Sequence, residues 1–218
     1  LATAQFELPI KTKKVKIDPK GNLEVIKEHC KLIVKGESFQ VDFDLVKGNI
    51  LNINKDGYKI LEDGPKLNFW RAPIDNDMYI VEDYKKKYFM HLMHEVVRNI
   101  EYSLDNNVLT FKVETINGTT NSAWHYKSNY EYKVFGSGDI LINVSGVPAG
   151  KIEMAPDMLP RIGLQMKLNK DLENVKYKGR GPGESYSDTK EANLFGVYEN
   201  TVEGLFTNYV KPQENGNR

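Results

Sequence analysis

The sequence predicts an all-β protein, a large antiparallel sandwich with one short helix. Roughly a dozen short runs alternate apolar and polar residues with a period of two, as half-buried strands do. Those runs are separated by Gly, Pro, Asn and Asp clusters with turn chemistry. Only one stretch repeats apolar residues at helical spacing.

The first twenty residues hold one candidate strand, Gln5-Phe6-Glu7-Leu8, then Pro9 and a basic run from Lys11 to Lys16. No aromatics interleave with those lysines, so they read as a solvated linker or edge strand rather than a polyanion patch. A boundary is expected near Pro19, giving a segment 1–19 and a main domain 20–218. From Gly21 to Leu61, Leu32 and Val34 share one parity, as do Phe39, Val41, Phe43 and Leu45. Lys47-Gly48-Asn49 and Lys55-Asp56-Gly57 mark hairpins. His29 and Cys30 read as an ordinary strand pair, because no further ligands follow at metal-site spacing. Val81, Tyr84, Tyr88, Leu92 and Val96 then recur at three and four residue intervals and predict a helix from about Ile80 to Val96. His91 and His94 lie three apart on it without a third ligand, so packing or surface is expected.

Strands return from Glu95 to Lys178. Leu109, Phe111 and Val113 share a parity, as do Trp124, Tyr126, Tyr130, Tyr132 and Val134. Ile140, Ile142 and Val144 form another set, and Ile162, Leu164, Met166 and Leu168 a fourth. The expected breaks are Asp105-Asn106-Asn107, Asn117-Gly118, Gly136-Ser137-Gly138 and Pro148-Ala149-Gly150. The aromatic set reads as core before sugar-stacking platform.

With 218 residues, 40% of them hydrophobic and 28% charged, the chain is long enough to bury a sizeable core. Its formal net charge of zero leaves no electrostatic footprint for nucleic acid or an anionic membrane. The single cysteine excludes an internal disulfide framework and leaves the compartment open. No apolar run approaches about 18 residues and no cleavable leader is visible. A start at Leu1-Ala2-Thr3, without methionine, is expected of a piece of something longer.

The stretch that organises the chain is Asn68-Phe69-Trp70-Arg71-Ala72-Pro73-Ile74-Asp75-Asn76-Asp77. Pro73 bars a regular strand, and Ala72 before it is pushed away from helix. An irregular loop follows, anchored by two aromatics and carrying Arg71, Asp75, Asn76 and Asp77. It reads either as a packed corner whose polar groups satisfy each other or as a polar rim facing a sugar. Farther on, Gly179-Arg180-Gly181-Pro182-Gly183 fits neither glycine-rich nucleotide fingerprint, and Pro182 removes a donor.

These stretches resemble the C-terminal, small-chain region (domain 5) of family 2 β-galactosidases. Phe-Trp-Arg-Ala-Pro-Ile-Asp-Asn-Asp at 69–77 is similar to the family's Arg-Ala-Pro-x-Asp-Asn-Asp signature. Arg161-Ile162-Gly163-Leu164 resembles its Arg-Ile-Gly-Leu strand, and 179–188 its Gly-x-Gly-Pro-x-Glu-x-Tyr-x-Asp segment, with Thr189 where arginine is expected next. Tyr209 to Arg218 resembles its Tyr-Val-x-Pro-x-Glu-Asn-Gly-x-Arg run. The four blocks occur in the family's order. The resemblance implies a galactose-mutarotase-like supersandwich, interrupted before its end, and residues 1–19 as the tail of a preceding immunoglobulin-like domain.

The resemblance also places both catalytic glutamates in a separate barrel, so no catalytic residue and no metal ligand is expected among these 218 residues. Magnesium or sodium ions are left to the complete enzyme, bound elsewhere. The implied partners are the other domains of the same β-galactosidase chain and a carbohydrate substrate, with no nucleic acid and no membrane; the complete enzyme is expected to be a homo-oligomer. Candidates for the carbohydrate side or for clamping loops are Arg71, Asp75, Asn76, Asp77, Arg161, Glu184, Tyr186, Asp188, Glu214 and Asn215. Two alternatives stay open. One is a stand-alone mutarotase or epimerase, which needs a His–carboxylate pair and has only His125 in the sheet region; the other is a carbohydrate-binding module.

Arginine usage adds one expectation. Five arginines stand against 25 lysines, and Arg71, Arg161, Arg180 and Arg218 all fall inside the motif blocks. A planar fork holds a carboxylate with two bonds where an ammonium acts as a point charge. The motif loops are therefore expected to converge, with at least Arg71 paired to an acid.

Overall fold

A computed structural model describes residues 4–11 and 16–218. Twelve strands and one short α-helix make up its regular structure, and every strand pairing is antiparallel. The strands are β1 (Glu24–Glu28), β2 (Lys31–Lys35), β3 (Phe39–Asp44), β4 (Ile50–Lys55), β5 (Tyr58–Asn68), β6 (His94–Asp105), β7 (Val108–Gly118), β8 (Trp124–Phe135), β9 (Ile140–Gly150), β10 (Gly163–Leu168), β11 (Asn174–Gly181) and β12 (Leu194–Thr201). The all-β expectation holds.

Backbone contacts divide the chain into two compact units. The larger comprises 16–71 and 79–169, the smaller 1–15, 72–78 and 170–218. The larger unit is a sandwich of a six-stranded sheet, β1-β2-β3-β4-β5-β10, and a four-stranded sheet, β6-β7-β8-β9. The alternating residues meet between the sheets. Leu32, Val34, Val41, Phe43, Ile50 and Leu61 come from one sheet, and Leu109, Phe111, Val113, Tyr130, Tyr132 and Val134 from the other. Phe43 stacks on Phe111 at 4.3 Å between centroids and meets the Tyr132 ring at 5.5 Å. The aromatic parity set of β8 is thus core.

Local turn chemistry sets the registers. Asp56 and Gly57 (φ 52° and 81°) close β4–β5, and Asn106 and Asn107 (φ 47° and 58°) close β6–β7, both as two-residue turns with positive φ throughout. Such turns match the right-handed twist of the flanking strands.

Four local expectations are corrected. Residues 5–8 form no strand, and the Gln5 side chain instead bonds both the N–H and the C=O of Phe195. Part of the basic run, Thr12 to Val15, lies outside the described residues. His29 and Cys30 make the turn between β1 and β2, with His29 at φ 49°. The helix α1 spans only Val81–Lys86. Phe89 takes a left-handed conformation, a short turn covers Met90–Leu92, and β6 begins at His94. Val96 and Val97, β-branched, lie in a ladder with β7 running from His94↔Gly118 to Asp105↔Val108, and that pairing outweighs the helical spacing. Pro148-Ala149-Gly150 is no break either, because it completes β9, an edge strand where a missing N–H costs no ladder bond.

A second apolar cluster, Phe69, Tyr84, Met90 and Trp124, receives the start of the central stretch in the same unit. Trp70 packs against this cluster, and the Asn68 side chain accepts its N–H and donates to its carbonyl. Among the described residues no helix is long and apolar enough to cross a membrane.

Candidate functional site

The smaller unit is built on the β11–β12 hairpin, with Gly181 paired to Leu194 where the strands leave for the motif loops. Three loops gather here, 72–78, 182–193 and 202–218. Pro73 and Pro182 keep two of them out of regular structure, so their polar groups need partners from elsewhere.

Glu184 is the hub. Its carboxylate accepts the Tyr209 hydroxyl and, at 2.6 Å, the N–H of Gly216. The Arg218 guanidinium lies 3.8 Å away, and the two side chains are 8% and 11% exposed. Gly216 sits at φ 82°, the left-handed region that glycine tolerates and that presents this N–H. Around the hub, Ser185 donates its N–H to the Asn217 carbonyl, and the Asn217 amide returns a bond to Ser185. Asn193 accepts the Gly183 N–H and donates to the Glu184 carbonyl. Asn215 and Thr207 hold each other through the Asn215 amide and the Thr207 backbone.

Loop 72–78 joins the same network. The Ala72 N–H donates to Glu214 at 3.1 Å and the Asp75 N–H to Gln213 at 3.2 Å. Asn76 donates to Asp188 at 2.9 Å, and Asp77 accepts the Ile74 N–H at 2.9 Å. Asp75, Asn76, Asp77, Glu184, Tyr186, Asp188, Glu214 and Asn215 therefore belong to one unit. Arg71 and Arg161 belong to the other, where Arg71 donates Nε–H to the Pro160 carbonyl at 2.8 Å.

The buried arginine–carboxylate pair of the small unit is Arg218–Glu184. Arg180 serves as a loop fastener, bonding the carbonyls of Lys190 and Asn193 and the Glu191 carboxylate. Sequence reasoning missed the hub partners Tyr209 and Gly216 and the bridge through Asn193 and Gln213. Tyr209 and Gly216 stand in a motif block, yet nothing in the block tells that they meet Glu184.

A second polar network in the larger unit also went unforeseen. Glu95 accepts from Tyr130 at 2.6 Å, Thr115 at 3.2 Å and Asn117 at 3.3 Å, while the Tyr130 hydroxyl accepts the Leu67 N–H at 2.9 Å. This ties β5, at its exit into the central stretch, to the four-stranded sheet. Burial first, and then the Glu95 carboxylate, push the phenols of Tyr130 and Tyr132 well above the ordinary tyrosine range. Among the described residues no three His, Cys, Asp or Glu side chains gather as a metal site would require.

What this arrangement does chemically is hold loops: its carboxylates accept backbone, amide and hydroxyl donors within the unit. Residues 35–218 match the family model described as beta galactosidase small chain. The chain is 29% identical over 197 residues to a β-galactosidase of Actinobacillus pleuropneumoniae, covering 90% of this chain and 19% of that protein. It is 29% identical over 210 residues to that of Lactobacillus delbrueckii subsp. bulgaricus, covering 92% and 19%. A β-galactosidase of Kluyveromyces lactis is 30% identical over 225 residues, covering all of this chain and 21% of that protein. The chain thus spans about a fifth of the length of the curated relatives it matches. With the family model running from β2 to Arg218 and the motif loops fastened on one another, this chain belongs to the β-galactosidase small chain family.

Proposed function

We propose that this chain is a non-catalytic region of a β-galactosidase that hydrolyses terminal β-D-galactosides. In that enzyme it packs on a catalytic barrel, and the loops gathered on Glu184 shape one side of the sugar pocket. Asp75, Asn76, Asp77, Tyr186, Asp188, Glu214 and Asn215 hold or line that rim, and Arg71 and Arg161 are loop-clamp candidates within the larger unit. The sandwich belongs to the supersandwich type, the complete enzyme is a homo-oligomer, and this region needs no cofactor of its own.

The observation that carries the reading is the engagement of Glu184, Asp188 and Glu214 in fastening loops. A retaining glycosidase needs two carboxyls about 5–5.5 Å apart acting as acid and nucleophile. Carboxylates that accept structural donors serve a scaffold instead. The test is to remove 72–78 and 182–218 from a complete β-galactosidase carrying this region. Activity and assembly are expected to fall together, and unchanged kinetics and assembly would overturn the reading.

A further inference from the structure

In the larger unit, β1, β10, β6 and β9 stand at the edges of the two sheets. An edge is a row of unpaired N–H and C=O groups, and proteins blunt it with charges, bulges or brevity. β1 is five residues long and carries Glu24, Lys27 and Glu28. β10 has six residues, Lys167 and two register shifts. β6 is longer but bears Glu95, Arg98, Glu101 and Asp105 and is interrupted between Val97 and Asn99. β9 runs for 11 residues with no charge and an unbroken register, and Pro148 near its end is all that blunts it.

Alternation along β9 tells which backbone groups are left over. Just before the strand, the Asp139 carbonyl accepts the Phe135 N–H at 3.0 Å, and just after it the Lys151 N–H donates to the Ala123 carbonyl at 3.1 Å. Between them the register with β8 holds from Trp124↔Gly150 to Val134↔Ile140. Odd-numbered residues therefore bond β8, while Ile140, Ile142, Val144 and Gly146 turn their N–H and C=O groups outward. Among the described residues only the Tyr126 hydroxyl meets this row, donating to the Gly146 carbonyl at 3.0 Å, and that oxygen keeps a second lone pair. The side chains of Ile140, Ile142 and Val144 pack on the core. Leu141, Asn143, Ser145 and Val147 stand on the open face, with Leu141 46% and Val147 60% exposed.

This strand is its own complement. With a two-fold axis at Val144, Leu141 faces Val147 of a second copy and Asn143 faces Ser145, so apolar meets apolar and an amide meets a hydroxyl. An axis at Asn143 sets Leu141 against Ser145, and one at Ser145 sets Val147 against Asn143. No like charges oppose each other in any of these registers, because the strand has none. We propose that two copies of this chain pair their β9 strands antiparallel about a two-fold axis at Val144, joining their four-stranded sheets into one. This goes beyond the proposed role in a β-galactosidase, and its test reads association rather than turnover, so either can fail alone.

The experiment is sedimentation of the 218-residue chain over a concentration series, with amide hydrogen exchange read at both ends of it. A reversible dimer with a Kd on the order of 10–100 μM is expected. Raising the concentration should slow exchange at Ile142, Val144 and Gly146 at least about tenfold. Asn143 and Ser145, already bonded to β8, should not change. Asn143→Lys combined with Ser145→Lys sets lysines opposite each other on an exposed face. That variant should weaken dimerisation at least about tenfold, with the melting temperature in dilute solution unchanged. Asn143→Glu combined with Ser145→Lys opposes unlike charges across the same axis and should restore the dimer. A chain that stays monomeric at millimolar concentration would overturn the proposal. So would a dimer that protects β1, β6 or β10 instead, protection of the outward β9 amides in the monomer by another segment, or a lysine variant that pairs as tightly as the parent.

Discussion

Glu184 and Arg218 lie 3.8 Å apart with almost no solvent around either side chain. Removing one partner from such a pair leaves a buried charge uncompensated, at about 3–5 kcal/mol. Glu184→Ala should therefore lower the unfolding free energy by about that much in urea titration, and it also leaves the Tyr209 hydroxyl and the Gly216 N–H without their acceptor. Arg71→Lys removes an Nε–H donor that an ammonium does not replace in place, and should cost about 1.5–3 kcal/mol. Arg98, exposed at the irregularity between Val97 and Asn99, should accept lysine within about 0.5 kcal/mol by the same measurement. Tyr130 offers a pH handle. Its phenol, and that of Tyr132, titrates above the ordinary value in the folded chain, so above about pH 10 the unfolded chain loses protons that the folded chain keeps. The stability this shift contributes is present below pH 10 and falls as pH rises past it. Tyr130→Phe should flatten part of that alkaline fall while lowering stability at neutral pH by about 1–3 kcal/mol, because the Leu67 N–H and Glu95 lose their partner.

Hairpins and helix behave differently as elements. The β6–β7 turn places Asn107 at φ 58°, a conformation glycine adopts without the penalty a Cβ carries. Asn107→Gly should be neutral or stabilising by a few tenths of a kcal/mol, and Asn107→Val destabilising by about 1–2 kcal/mol, read as shifts in thermal midpoint. These turns were legible because their chemistry lies within two residues. The helix beyond Lys86 was misread for the opposite reason. Tyr84 and Tyr88 do pack into the second apolar cluster at helical spacing. Leu92 and Val96, which continue the same spacing, are 54% and 41% exposed, and pairing with β7 governs the chain from His94. A spacing rule sees the periodicity but not the strand that waits to pair.

Across the molecule, the sandwich core and the motif loops are held by different forces. The sandwich core closes on twelve buried residues drawn from two sheets, whereas the carboxylates of the motif loops are fastened to loop partners. The chain alone should therefore give no turnover of a chromogenic β-galactoside above a buffer control. Alternation and turn residues are properties of neighbours in sequence, which is why strand composition, the aromatic core row of β8 and most hairpins could be read from the order of amino acids. Motif order sufficed for the family as well. The partners of Glu184 lie 25 to 34 residues away, and Glu214 meets an N–H 142 residues earlier in the chain. Such pairings need atoms placed to within a few tenths of an ångström, and loops held by Pro73, Pro182 and Gly216 carry no periodic signal that fixes those distances. Most of the clamp's residues stand in the motif blocks, although Asn193 and Thr207 do not, and which donor meets which acceptor came from the packing of the loops.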